Sequence, residues 1–259
     1  MLDALAQSIA RMRTHKDYIN GRRVYESRPL LGPLRGMRLA TPVPDRAALA
    51  IGTYERHVVN MLRRHLKPGV VAYDAGAHMG YLSLVMAQRC RQVVAFEPDP
   101  ANAECLQQNA ARNGITNVDL VQAAVTSEDG ALEFATFGFS LVNHLVRDHE
   151  GELPIDAHVI TVPTTTIDSH AESTGLYPSL IKVDVEGGEI GVIEGALGVI
   201  DKIRPAIVCE VRPDSLVRIR ELLRPFGYRG RAHGGLRALH KRHVGEAEFV
   251  PKLELIEVG

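Results

Sequence analysis

The chain has few cysteines and no long apolar segment, and both absences narrow the class of protein. Cys90, Cys105 and Cys209 show no C-x-x-C spacing and have no histidine nearby in the sequence, which predicts buried thiols. No apolar run approaches the ~20 residues that a membrane-spanning helix needs. The first residues, MLDALAQSIARMR, lack the apolar core and cleavage site of a secretory signal. We therefore expect a soluble protein of the cytoplasm with no membrane partner.

The chain also lacks a strong net charge. It contains 30 Lys and Arg against 31 Asp and Glu, a formal charge of −1. The basic residues are concentrated in residues 1–46, where nine Lys or Arg face four Asp or Glu. A solvated basic face explains this segment, and contact with an acidic substrate or with nucleic acid is the alternative. The length of 259 residues and the 45% of apolar residues suit one α/β domain with a large core, with or without a cap.

A turn of small residues follows the first strongly apolar strand. Residues 70–73 are apolar, Asp74 comes next, and AGA (75–77) precedes Gly80, which opens the helical segment YLSLVMAQRC. Small residues let the backbone approach a ligand closely, and the helix behind them offers unpaired N–H groups. Asp74 can accept a hydrogen bond from a cationic or hydroxyl partner there. The segment therefore predicts a strand, a tight turn and a helix that bind a polar ligand group.

Two features of the sequence narrow the class of ligand: a glycine motif that is missing and a second acidic residue. The dinucleotide fingerprint G-x-G-x-x-G is absent, so no pyrophosphate loop is visible. The next strand, 93–96, ends at Glu97, where nucleotide-binding units place an acid for ribose hydroxyls. The order D-x-G-x-x-x-G resembles the S-adenosylmethionine loop of class I methyltransferases, with His78 at the position of the middle glycine. Such a position can require positive φ, which His tolerates better than most residues. We expect an adenosine-containing cofactor.

Strands and helices alternate along most of the chain. Asp99 and Pro100 predict the start of a helix, and residues 118–125 predict a third strand. Residues 126–167 predict an insertion with a β-hairpin and a mobile loop. The segments SLIKVDV and AIVCEV predict two more strands, and the last segments suggest antiparallel edge strands. The fold class is therefore α/β, a doubly wound, mostly parallel sheet with a C-terminal antiparallel hairpin.

The domain division follows from the same patterns. Residues 1–66 predict an N-terminal cap or lid of helical type, with a helix to about Arg13. Residues 67–259 predict the cofactor-binding domain, which carries the insertion.

A second group of charged residues lies in an otherwise apolar segment. Lys182, Asp184 and Glu186 alternate with apolar residues, so we expect all three on one face of a central strand near its carboxyl end. Charges in a central strand are costly unless they are paired. A polar site explains the three charges, and an internal ion pair such as Lys182 with Glu210 is the alternative.

Five segments carry a family resemblance: GTYE (52–55), DAGAHMGYLSL (74–84), AFEPDPAN (95–102), QNAARNG (108–114) and IKVDVEGGE (181–189). Together they resemble FkbM-family S-adenosylmethionine-dependent methyltransferases over residues 50–212. The motifs IKVDVEGGE and EP-x-P-x-N are specific. The first loop departs from the family pattern, which commonly has Asn at the position of His78.

The resemblance implies a class I methyltransferase (Rossmann-like) fold, S-adenosyl-L-methionine as cofactor, and O-methylation of hydroxyls on sugars or polyketide-like natural products. The residues expected at the cofactor, carried over by position, are Glu55, Asp74, Gly76, Ala77, His78, Gly80, Glu97, Pro98, Ala123, Ala124 and Asp184. Of these, Asp74 and the two glycines would hold the methionine end, Glu97 the ribose, and the two alanines the adenine. His78 either contacts the methionine carboxylate or replaces the Asn structurally.

Methyl transfer in line needs positioning and help in removing the hydroxyl proton. Asp184 and Glu186 are the candidates for the general base, and a histidine of the cap or insertion is the alternative. Hard oxygen ligands from Asp184, Glu186 and Glu210 would suit magnesium, but the spacing does not require a metal and we predict none.

Three other functional classes remain alternatives to a small-molecule hydroxyl acceptor. A nucleic-acid methyltransferase is favoured by the basic segment and disfavoured because DVEG (184–187) replaces the [DN]-P-P-[YF] turn of amino-methylating enzymes. A nucleotide-dependent oxidoreductase is disfavoured by the missing glycine fingerprint. A module that binds the cofactor without turnover is compatible with the sequence, as is a homodimer.

Overall fold

A seven-stranded sheet forms the centre of the fold. The computed structural model of the chain describes residues 17–19, 22–41, 46–137, 144–145, 157–233 and 245–251. Its strands are β1 (Asp17–Ile19), β2 (Arg22–Ser27), β3 (Leu39–Thr41), β4 (Val71–Ala75), β5 (Gln92–Phe96), β6 (Val118–Val121), β7 (Ala124–Val125), β8 (Gly130–Phe137), β9 (His144–Leu145), β10 (Ala157–Thr165), β11 (Leu180–Val183), β12 (Ala206–Val211), β13 (Tyr228–His233) and β14 (Gly245–Pro251). The central sheet has the order β13-β14-β12-β11-β4-β5-β6.

The strands from β12 to β6 are parallel, and β14 runs antiparallel to both β12 and β13. The predicted doubly wound sheet with its C-terminal antiparallel hairpin is therefore confirmed. The strand order reverses between β4 and β11, because the chain continues from β4 to β5 on one side and from β11 to β12 on the other. Ligands of open α/β sheets bind at the carboxyl ends of the strands at such a reversal.

Helices cover both faces of the sheet, as parallel strands require. They are α1 (Arg46–Ile51), α2 (Arg56–His65), α3 (Tyr81–Ala87), α4 (Pro100–Arg112), α5 (Ile167–Thr174), α6 (Glu189–Glu194), α7 (Leu197–Ile203) and α8 (Pro213–Leu223). Apolar residues of α2, α3 and α4 pack on one face, and those of α5 to α8 pack on the other. The three cysteines are buried free thiols, as predicted. Among the described helices, none is long and apolar enough to cross a membrane.

The start of α4 matches its sequence signal. The Asp99 carboxylate accepts hydrogen bonds from the N–H groups of Ala101 and Asn102 at 2.8 and 3.1 Å, and Pro100 is the first helical residue. An acceptor at this position satisfies N–H groups that the helix itself leaves unpaired. The predicted helix start is confirmed, and it fixes the segment that follows β5.

The predicted insertion contains the expected hairpin. β8 and β10 pair antiparallel over residues 130–137 and 157–164, and β7 and β9 complete a four-stranded sheet. The single strand expected over residues 118–125 is divided, because a tight turn with Ala123 N–H donating to Val121 O separates β6 from β7. β6 stays in the central sheet and β7 joins β10. The loop expected in the insertion lies largely outside the described residues.

The strands β1, β2 and β3 form a small sheet that the sequence did not indicate. β1, β2 and β3 pair antiparallel in that order. Asn109 of α4 fixes this sheet to the domain, because its side chain accepts from Ala40 N–H at 2.6 Å and donates to Ala40 O at 2.9 Å. The predicted cap thus contains a sheet besides the helices α1 and α2. The helix expected to about Arg13 lies outside the described residues, and the domain boundary at residue 66 stays a prediction.

Candidate functional site

The turn between β4 and α3 lies where the strand order reverses. The N–H groups of Gly76 and Ala77 both donate to the carbonyl oxygen of Phe96, at 3.1 and 2.9 Å, which holds the turn against the end of β5. Gly76 and His78 have φ values of 79° and 50°. The positive φ expected at His78 is thus confirmed. A Cβ on Gly76 would collide with the carbonyl oxygen of Asp184, so only glycine fits this position.

Asp74 lies beneath the turn. It is fully buried, and its carboxylate accepts from the Ser83 hydroxyl at 2.5 Å and pairs with the Lys182 amine at 3.0 Å. The cationic and hydroxyl partners expected for Asp74 are therefore groups of the protein. A direct contact of Asp74 with a ligand stays a prediction, because its side chain does not line the cavity described below.

Glu97 follows β5 and holds the same turn. It is 4% exposed, and its two carboxylate oxygens accept from His78 N–H at 2.7 Å and from Asp99 N–H at 3.0 Å. Burial, aided by the charge of Asp99, raises the pKa of Glu97 to about 7, although the N–H donors oppose the shift. Glu97 thus holds the turn in its shape, and its contact with a ribose stays a prediction.

The strand that precedes the second charged group is shorter than expected. The prediction that Lys182, Asp184 and Glu186 alternate along one strand is wrong for the last two, because β11 ends at Val183. The Asp184 N–H still donates to Ala75 O at 3.1 Å, but Glu186 has a φ of 55°, which turns the chain out of the sheet. All three charged side chains nevertheless line one cavity.

Lys182 is a buried cation at the centre of the site. It is 3% exposed, and its amine lies 3.0 Å from Asp74 Oδ1 and 3.6 Å from Asp184 Oδ2. Burial lowers the pKa of Lys182, but the two carboxylates more than offset this and leave the pKa above its ordinary value. Lys182 therefore stays charged. The expected internal ion pair exists, but among the described residues its partners are Asp74 and Asp184, where the sequence suggested Glu210.

Three carboxyl groups form a cluster beside Lys182. Asp184, Glu186 and Glu210 each place an oxygen within 4.8 Å of the others, and this is the described group that could hold a metal ion. Burial and the Asp184 charge raise the pKa of Glu186 to about 7 and that of Glu210 to about 10, and a hydrogen bond with Asp184 adds to the shift of Glu210. Glu210 thus keeps its proton near neutral pH. The sequence signal for Glu210 was an acid near the end of the apolar segment AIVCEV.

A cavity of about 220 Å³ lies between the turn and the acids. The predicted residues that line it are Glu55, Gly76, Ala77, His78, Glu97, Pro98, Ala123, Ala124, Asp184 and Glu186. The predicted residues Asp74 and Gly80 do not line it. Lys182 and Glu210, which the sequence suggested as charged residues of a polar site, of an ion pair or of a metal site, also line it. The lining residues that the sequence did not indicate are Tyr54, Met79, Tyr81, Leu82, Phe96, Asn102, Val125, Phe134, Val185 and Gly188.

Two tyrosines form an aromatic wall of the cavity. The rings of Tyr54 and Tyr81 meet edge to face, with centroids 5.0 Å apart and an interplanar angle of 82°. Tyr81 is 4% exposed, and its hydroxyl has no hydrogen-bond partner in the described part of the chain. Buried polar groups are seldom left without a partner, so this hydroxyl can accept or donate to a ligand. The sequence did not indicate either tyrosine as a site residue, because apolar spacing alone assigns such residues to the core.

Comparison with known proteins identifies relatives of this chain. A family model described as the methyltransferase FkbM domain matches residues 74–229. The hexuronic acid methyltransferase AglP of Haloferax volcanii is 26% identical over 155 residues, which are 60% of this chain and 61% of that protein. Methyltransferase 1 of Beauveria bassiana is 26% identical over 47% of this chain and 56% of its own length. The chain thus spans about 60% or less of these relatives.

The fold also matches a solved structure. An rRNA methylase from Streptococcus thermophilus superimposes with a TM-score of 0.50 at 10% identity, and the match covers 75% of this chain and 94% of that one. At this identity the likeness concerns the fold alone.

Proposed function

Since the chain belongs to the methyltransferase FkbM domain family, we propose that it transfers the methyl group of S-adenosylmethionine to a hydroxyl of a small molecule, of the sugar or natural-product type. The observation behind the proposal is the meeting of the glycine turn, Glu97 and the carboxyl cluster around one cavity at the reversal of the sheet. The glycine turn and Glu97 suit an adenosine-containing cofactor, and the carboxyl cluster suits a reacting hydroxyl.

The residues present fit the cofactor on chemical grounds. Glu97 offers carboxylate oxygens to ribose hydroxyls, and Ala123 and Ala124 are small enough to leave room for a flat adenine ring. The buried Tyr81 hydroxyl has no partner among the described residues, which suits a site completed by a ligand. S-adenosylmethionine, when bound, supplies an electrophilic methyl group on a sulfonium. The chain's own contribution is to position the acceptor and to take its proton.

Glu186 is the best candidate for the general base. A base works best when its pKa lies near the working pH, and burial brings the pKa of Glu186 to about 7. The Asp184 carboxylate interacts with Lys182 and shares a hydrogen bond with Glu210, which keeps its own proton. Asp184 is therefore the second candidate, and its carboxylate would orient the acceptor.

The proposed acceptor class is supported by one distant relative. AglP is named for hexuronic acids, which are sugars, and the cavity here presents several carboxyl groups that can bind sugar hydroxyls. This chain covers only part of that protein, so the acceptor has to be found by experiment.

The test is calorimetry of the wild-type protein with S-adenosylhomocysteine, with NAD as the comparison ligand. We expect S-adenosylhomocysteine to bind and to raise the melting temperature, as a ligand selective for the folded state must, and NAD to do neither. Absence of binding by folded protein at millimolar ligand contradicts the proposal. A mass-spectrometric screen of sugars and polyhydroxylated compounds then tests transfer, and binding without any methylated product favours a non-catalytic module.

A further inference from the structure

Lys182 contacts both halves of the proposed site. Its amine donates to the carbonyl oxygen of Gly76 at 2.7 Å and lies 3.4 Å from that of Ala75, so it touches the backbone of the cofactor turn. The same amine pairs with Asp74 at 3.0 Å and with Asp184 at 3.6 Å. A lysine amine has three donors, and four oxygens surround this one.

These contacts exceed what charge balance requires. Asp74 alone neutralises the buried amine, and its second oxygen is already occupied by the Ser83 hydroxyl, which ties it to α3. The bond to Gly76 is shorter than the ion pair with Asp74, and it fixes the first peptide group of the turn. Gly76 in turn packs directly on the backbone of Asp184, so a shift of either would move the other.

We propose that Lys182 is a positioning residue, which sets the Gly76 peptide group and the Asp184 carboxylate relative to each other. This inference rests on the proposed function, because those two groups belong to the cofactor turn and to the acids at the acceptor. Lys182 acts through them and needs no contact with either substrate. The competing explanation is that Lys182 serves only to neutralise Asp74, since a buried charge without its partner strongly destabilises a fold.

The double variant Asp74→Asn with Lys182→Met separates the two explanations through amide exchange in the ligand-free protein, because Asp74 is itself a predicted cofactor residue and its replacement can change the affinity directly. It removes both charges together, so no uncompensated charge stays buried, and the new side chains have similar size. Lys202→Met is the matched control, because Lys202 is an exposed lysine that lies over the Tyr177 ring, away from the cavity. Three quantities are measured for each protein: the melting temperature, the affinity for S-adenosylhomocysteine, and amide hydrogen exchange in the ligand-free state.

We expect the double variant to fold and to bind S-adenosylhomocysteine roughly 10- to 150-fold more weakly, the scale of a lost hydrogen bond to a charged group. Amide exchange should accelerate at least about tenfold at Gly76, Ala77 and Asp184, because their N–H groups are held by the turn and strand end that Lys182 fixes. Exchange in α5 should stay unchanged, and the control should keep the wild-type affinity and the wild-type exchange at these three residues.

Two results would overturn the assignment. A folded double variant with affinity within about twofold of wild type and unchanged exchange would show that Lys182 only balances Asp74. A double variant that does not fold would show a role in the fold itself. If wild-type protein fails to bind S-adenosylhomocysteine, the proposed function is wrong, and the exchange data on ligand-free protein still decide whether Lys182 positions the turn and Asp184.

Discussion

Replacing Glu97 by alanine tests the cofactor end of the site, because the contacts that the change removes are known. The two carboxylate oxygens hold the N–H groups of His78 and Asp99 at 2.7 and 3.0 Å. A hydrogen bond to a charged group contributes about 1.5–3 kcal/mol. If Glu97 also binds the ribose, the affinity for S-adenosylhomocysteine should fall by about 10- to 150-fold, since each 1.4 kcal/mol is a factor of ten.

The same variant has a pH-dependent effect on stability whose sign follows from the pKa of Glu97. That pKa is raised from 4.5 to about 7 in the folded protein, so the folded state binds the proton more tightly than the unfolded state. The stabilisation from the protonated form is fully present below pH 4.5 and is lost as the pH rises through 7. The loss of stability in Glu97→Ala should therefore be larger at pH 5 than at pH 8, by about 2–3 kcal/mol.

Calorimetry and chemical denaturation at pH 5 and pH 8 measure both effects. Glu172→Ala, which removes an exposed acid of α5, is the control and should change neither quantity. Unchanged affinity in folded Glu97→Ala would remove Glu97 from the cofactor site. Equal losses of stability at the two pH values would show that the pKa of Glu97 is not raised, and the explanation from burial would be wrong.

The remaining predictions concern the carboxyl cluster of Asp184, Glu186 and Glu210 and the aromatic wall of the cavity. If Glu186 is the base, Glu186→Gln should lower turnover by roughly 100- to 10,000-fold while S-adenosylhomocysteine affinity changes little, and if Asp184 is the base, Asp184→Asn should do so. Wild-type turnover should rise with pH through about 7, where Glu186 loses its proton, and Glu186→Gln should lack this rise; normal turnover in both variants contradicts the assignment. A chelator should leave turnover unchanged, and restoration by added magnesium would show a metal in the carboxyl cluster. Tyr81→Phe should leave the melting temperature unchanged, because the hydroxyl has no partner in the described residues, and should weaken S-adenosylhomocysteine binding about 3- to 10-fold. Equal affinities would remove this hydroxyl from the site.

The sequence was sufficient to locate the turn and the sheet, because both depend on local patterns. An apolar run, small residues with a helix behind them, and an acid after the next strand are consequences of neighbouring residues, and the turn at Gly76 lies where they predicted. Asp99 with Pro100 marked a helix start for the same reason.

The contacts between distant segments could not be predicted in this way. The alternation along IKVDVE places the three charged side chains on one face only if the strand continues through Glu186. The positive φ of Glu186 turns the chain out of the strand conformation, so the alternation does not apply there. The partner of Lys182 was sought in β12, but it comes from β4 on the other side, and a single strand pattern does not distinguish the two neighbours. Tyr54 and Tyr81 occupy positions that the helical spacing of apolar residues assigns to the core, so only the folded structure shows that they line the cavity.

The pairing of β4 with β11 links these observations. In this parallel pair Lys182 lies opposite Asp74 and Val183 opposite Ala75, so the two strands end together at one edge of the sheet. The turn that starts at Gly76 and the loop that starts at Asp184 therefore leave the sheet side by side. Because a shift of one residue would move every side chain of β11 to the other face, the ion pair of Lys182 with Asp74 and this register require each other. The distance between the turn at Gly76 and the carboxyl group of Asp184 is thus set by the pairing of β4 with β11 in the central sheet.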